Sequence, residues 1–218
     1  MSPWLNPILG DTQDERLLHR LEAFSDIVIG FCMAELTFSL GTSNGDLVAP
    51  VLALPKLYPF VLGFFTIAIM WWFHNRLFAK FFIINTVTIV ANFATLGSLM
   101  LMIYFIQAFS IVVTLPNPTD AQIFSAARLY FTTGSLVYGL LGLMFALGIV
   151  SRWSQLALAD RRFGVRRAFA SFMATAVFAT LGVMFNSHAH LKPILLVVAV
   201  LAVLIAVSRR IVTRLVRD

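Results

Sequence analysis

The residues of this chain that could do chemistry inside a membrane are Ser25, Asp26 and Glu35. They lie in the stretch Arg20–Phe38, RLEAFSDIVIGFCMAELTF. It starts as a charged helix end and turns apolar for long enough to enter a bilayer. An ionisable side chain at mid-membrane costs roughly 2.5–3.5 kcal/mol on insertion scales. Two carboxylates in its apolar part, Asp26 and Glu35, must therefore face protein or water. In that setting carboxylates either draw cations into a pore or carry protons through a transporter. On a helical wheel, Ile27, Phe31, Ala34, Glu35 and Phe38 fall along one stripe. Ser25 and Asp26 sit one turn inside one membrane face, and Glu35 lies about 13 Å farther along the helix. Polar groups at both ends of a bulky apolar plug describe a pore wall: wet vestibules around a hydrophobic constriction. Ordinary bundle packing produces the same periodicity.

Other chemistry has little to stand on. No nucleophile–base pair, phosphate-binding loop or Cys/His cluster occurs, so the expectation is no enzyme and no cofactor. His188 and His190, two residues apart in NSHAHLK, lack neighbouring Cys or carboxylate ligands and read as a solvated loop. His19 reads as exposed at the membrane surface. Cys32 is the lone cysteine, which excludes an intrachain disulfide and reads as a small packing residue. Asn85, Asn92 and Gln107 are expected to bridge helices, with Asn85 or Asn92 serving Ser25 and Asp26. Ser135 and Gly139 form a small-residue pair suited to close packing.

The elements that must position these groups follow from composition. The chain is 60% hydrophobic and 12% charged, with 21 Phe and a mean hydropathy of +0.89. A soluble domain carries about twice that charged fraction. The fold class expected is all-α, a polytopic membrane protein. Spanning needs about 20 helical residues, and six segments qualify: 17–40, 57–78, 84–108, 122–150, 167–186 and 193–213. Residues 1–15 are polar and acidic and do not read as a cleaved signal peptide. Thirteen of the 16 Lys and Arg residues fall on one side of this six-span layout. The positive-inside rule then places both termini in the cytoplasm. These arginines set topology and touch anionic lipid headgroups rather than nucleic acid. Residues 1–218 form a single transmembrane domain, and no internal repeat is visible.

Two short motifs carry a resemblance. The run Arg20-Leu21-Glu22-Ala23-Phe24-Ser25-Asp26 resembles the RxxxFSD signature of the lysosomal potassium channel family, transmembrane protein 175, in its bacterial single-repeat branch. Trp71, His74, Arg76, Leu77 and Phe78 resemble the WxxHxRLF element that closes the second helix in that family. The resemblance implies a potassium-permeable channel of the bacterial inner membrane, without a TVGYG filter. It implies a homotetramer whose first helices line a central pore. It also implies a structural lock made by Arg20, Phe24, Ser25, Asp26, Trp71 and His74. The family's ring of Ile or Leu after the signature falls here on Phe31, and its later layers fall near Ala34 or Glu35 and on Phe38. Four Glu35 carboxylates around one axis would repel, so some would hold a proton at neutral pH.

The function expected is a K+-permeable homotetrameric cation channel, with Ile27, Phe31, Ala34, Glu35 and Phe38 on the pore and Phe31 at the constriction. Other monovalent cations or protons are further candidates to permeate. A proton-coupled secondary transporter using Asp26 and Glu35 is the first alternative, weakened because transporters are commonly built from internal repeats. A non-conducting member of the same fold is the second, motivated by the phenylalanines of the stripe.

Overall fold

The computed structural model describes residues 13–41, 54–113, 115 and 117–185. Among these residues the chain forms five helices: α1 Gln13–Gly41, α2 Leu54–Lys80, α3 Thr86–Val113, α4 Asp120–Ser151 and α5 Leu158–Met184. The breaks between them have local causes. Asn85 caps α3, its Oδ1 accepting the Thr88 backbone N–H at 2.8 Å. Asn85 therefore opens a helix rather than bridging two. Thr119 opens α4 with a capping box: its hydroxyl accepts from Gln122 N, and the Gln122 carboxamide oxygen accepts from Thr119 N at 3.0 Å.

The expectation of six membrane spans is corrected. Four of the described helices, α2 to α5, are long and apolar enough to cross a bilayer. The first predicted span is a helix of 29 residues, so its length suffices. Residues 21–38, however, hold three carboxylates, Glu22, Asp26 and Glu35, too many for a helix surrounded by lipid. The segment 193–213 lies outside the described residues, as do His188 and His190. Both termini, which the Lys and Arg asymmetry assigned to the cytoplasm, also lie outside the described residues. The fifth helix also begins earlier than its apolar part, at Leu158 rather than 167. Arg161, Arg162, Arg166 and Arg167 are therefore helical. Hydropathy cannot see a helix that continues past its apolar section.

α4 packs against α3 and α5, while α1 packs against α2 and α3. Two apolar cores lie at different heights. One joins Ile29, Cys32 and Leu36 of α1 to Ile67 and Met70 of α2 and to Leu99, Met102 and Ile106 of α3. The other joins Leu21 of α1 to Leu77 of α2, to Phe81 and Phe82 just after α2, and to Met144, Phe145 and Ile149 of α4. At this second end the connections are braced by polar contacts. Lys80 pairs with Asp160 at 2.6 Å, and Arg152 donates to the Lys80 carbonyl at 3.2 Å. A cation on a terminal helix carbonyl complements the helix dipole.

One glycine holds this end closed. A Cβ placed on Gly148 would lie 2.0 Å from the Phe81 carbonyl oxygen and 2.8 Å from its carbon. Backbone cannot swing aside, so the helices must part. Gly148→Ala is expected to cost about 2–3 kcal/mol, read as a lower midpoint of thermal unfolding in detergent. Gly134→Ala meets only the Phe178 ring, at 2.2 Å. A side chain can rotate, so the smaller loss is expected there. Equal losses at the two positions would remove the backbone argument.

Candidate functional site

α1 presents two faces. Leu21, Ser25, Ile29, Cys32 and Leu36 are buried, at spacings of four and three that keep them on one side. Ile27, Phe31 and Phe38 are 67%, 67% and 69% exposed, and Ala34 and Glu35 are exposed beside them. The predicted stripe thus lies on the more exposed side of α1.

The buried face carries a polar layer between the two apolar cores. Ser25 donates its hydroxyl to the Leu21 carbonyl at 2.7 Å. Its single proton is spent, so it can only accept from Asn92, whose Nδ2 lies 3.2 Å away. That fixes the carboxamide and turns Asn92 Oδ1 toward His74 Nε2 at 2.8 Å. An oxygen there can only accept, so His74 carries its proton on Nε2. Ser25, His74 and Asn92 are at most 1% exposed. The sequence between the cores thus supplies one polar side chain from each of three helices, and each satisfies the next.

A second connection lies on the exposed side. Trp71 Nε1 donates to Asp26 Oδ1 at 3.0 Å. A carboxylate near the membrane thereby gains a partner from α2. Phe24 meets Phe93 of α3 edge-on, with ring centres 5.7 Å apart. Arg20 stays exposed at the head of this network. Of the predicted lock, Phe24, Ser25, Asp26, Trp71 and His74 are brought into contacts that join α1 to α2 and α3. Asn92 is the centre of the buried layer; the sequence offered it only as one of two partners.

Farther along, Gln107 Nε2 of α3 donates to the Glu35 carbonyl at 3.0 Å, so Gln107 does bridge two helices. Beside it a groove of about 160 Å³ opens between α1 and α3. Its lining includes Phe31, Glu35, Met100, Tyr104 and Gln107. Met100 and Tyr104 were missed by sequence reasoning, because a neighbouring helix contributes them. Glu35 is the carboxylate in this lining, set among aromatic and thioether surfaces. Such a surface can attract a cation and cannot coordinate one tightly. Among the described residues no three His, Cys, Asp or Glu side chains converge on a metal-sized point.

Residues 20–103 match the model of a protein family described as endosomal/lysosomal potassium channel TMEM175. No curated protein and no solved structure matches the chain. The matched residues include α1 from Arg20 onward, all of α2 and most of α3, which are the three helices tied together by Ser25, Asn92 and His74. Over residues 20–103 this chain is therefore similar to the TMEM175 potassium channel family, a family of ion channels and not of enzymes.

Proposed function

We propose that this protein is a potassium-permeable cation channel of the bacterial inner membrane, built from four copies of the chain. α1 of each copy lines a shared central pore. Ile27, Phe31, Ala34, Glu35 and Phe38 face the axis, Phe31 forms the hydrophobic constriction, and Glu35 and Phe38 form one approach to it. K+ passes down its electrochemical gradient, and the surrounding helices meet lipid. The end carrying Arg76, Lys80, Arg152 and the arginines of α5 faces the cytoplasm, in keeping with the positive-inside rule.

One observation carries this reading. α1 is too rich in carboxylates for lipid on every side. Its buried face is nevertheless satisfied inside the chain, while among the described residues its bulky and acidic stripe stays largely exposed. A helix of that kind is at rest when the exposed stripe meets water and other copies of itself. Hydrophobic constrictions flanked by wet vestibules gate by dewetting, and acidic rings draw in cations.

The test is a potassium-gradient flux assay on purified protein in liposomes, together with the mass of the protein–detergent particle. Flux above empty vesicles and a four-chain mass are expected. Absence of flux from the native chain and from every variant of Phe31 would favour the non-conducting alternative. Flux that saturates and requires a proton gradient would favour the transporter.

A further inference from the structure

We propose that Arg76 and Arg167, with Trp72 beside them, form a binding site for the phosphate of an anionic membrane lipid. The Arg167 guanidinium carbon lies 4.2 Å from the Phe73 ring centre, 4.9 Å from Trp72 and 5.1 Å from Phe163. Three rings from α2 and α5 thus hold one cation in place. Ring faces attract the charge but accept none of the in-plane N–H groups in these contacts. Arg167 makes no hydrogen bond and no ion pair among the described residues. Arg76 is exposed and stands four residues beyond Trp72 and three beyond Phe73 on α2, on the helix face whose rings Arg167 covers. It too has no carboxylate partner among the described residues.

Three cations at this end differ. Lys80 is taken by Asp160, Arg152 by the Lys80 carbonyl, and Arg161 by the Leu156 carbonyl and the Trp153 ring. Arg76 and Arg167 keep their donors. Two planar guanidinium groups on one face, neither paired with a carboxylate among the described residues, suit an anion with several oxygens, because each can donate a parallel pair of hydrogen bonds.

The surroundings favour a lipid as the source of that anion. Trp71 and Trp72 are 42% and 45% exposed toward one end of an apolar span, the depth at which tryptophan is enriched in membrane proteins. Only 17% of the α5 span is buried within the chain, so acyl chains can lie against α2 and α5 below the headgroup. The proposal does not depend on conduction.

Native mass spectrometry tests it, using the purified chain in zwitterionic detergent with phosphatidylglycerol or phosphatidylcholine added. Retention of phosphatidylglycerol over phosphatidylcholine is expected. Arg76→Gln should weaken it about fivefold and R76Q/R167Q about thirtyfold, as expected for one or two cations at an anionic headgroup. Arg16→Gln, on α1, should leave it unchanged. Arg76 is exposed, so R76Q decides the matter even if loss of Arg167 from its ring cage disturbs folding. Equal retention of the two lipids, or native retention by R76Q, overturns the proposal. Displacement of phosphatidylglycerol by millimolar inorganic phosphate would reassign the site to a soluble anion and also overturn it.

Discussion

Asn92→Leu lowers the midpoint of thermal unfolding on the order of 10 °C, a larger loss than Gly148→Ala produces. Asn92 is fully buried and uses both ends of its carboxamide, one on Ser25 and one on His74. Leucine fills similar space and returns neither bond. The His74 Nε2–H is left without an acceptor at 1% exposure, which costs about 1–3 kcal/mol. The lost Asn92–Ser25 bond adds about 1 kcal/mol. Within a bilayer no water enters to replace either partner. Ser25→Ala tests the other end. It strands the buried Asn92 Nδ2 donor, so about 1–3 kcal/mol is expected. The decisive variant is His74→Phe combined with Asn92→Leu. With both ends of the bond gone no buried donor is stranded, and the double variant should lose less than the sum of the two single losses. Strict additivity would mean that the layer is not a coupled network.

Phe31→Ala is the variant expected to change conduction most. If four Phe31 rings meet at the proposed axis, they hold a dry constriction with no groups to replace an ion's hydration shell. Alanine removes the rings and lets water through. An increase in potassium flux of about tenfold, equivalent to about 1.4 kcal/mol off the barrier, is expected in the liposome assay. Phe31 is exposed in the single chain and its neighbour Cys32 is buried. Cys32→Ala therefore serves as a control that perturbs packing without touching the stripe, and its flux should stay near that of the native chain. An unchanged rate in Phe31→Ala would take Phe31 out of the gate.

Much was legible before any coordinates. Periodicity alone placed Ile27, Phe31, Ala34, Glu35 and Phe38 on one face of α1. The seven residues from Arg20 to Asp26 pointed to the family that residues 20–103 match. These features are local: they depend on spacing of three and four residues and on the cost of charge in lipid.

What stayed hidden depends on contacts distant in the chain. Asn92 and Asn85 look alike in sequence, both polar residues near the start of an apolar stretch. One became the centre of a buried layer and the other a helix cap, and only the packing of α1 and α2 against α3 decided which. Arg167 read as one of several topology-setting cations, until α5 laid it over two rings of α2. Six apolar stretches suggested six spans, whereas four of the five described helices meet the requirement. Hydropathy scores a residue without its neighbours, and it cannot know that the carboxylates of α1 require a helix with one face away from lipid. The sequence by itself determined that this chain is helical, apolar and acidic along one stripe, because side-chain type and period decide those properties. Tertiary structure alone decided which polar groups are paired and which stripe is left exposed, because hydrogen bonds and burial exist only between segments brought together.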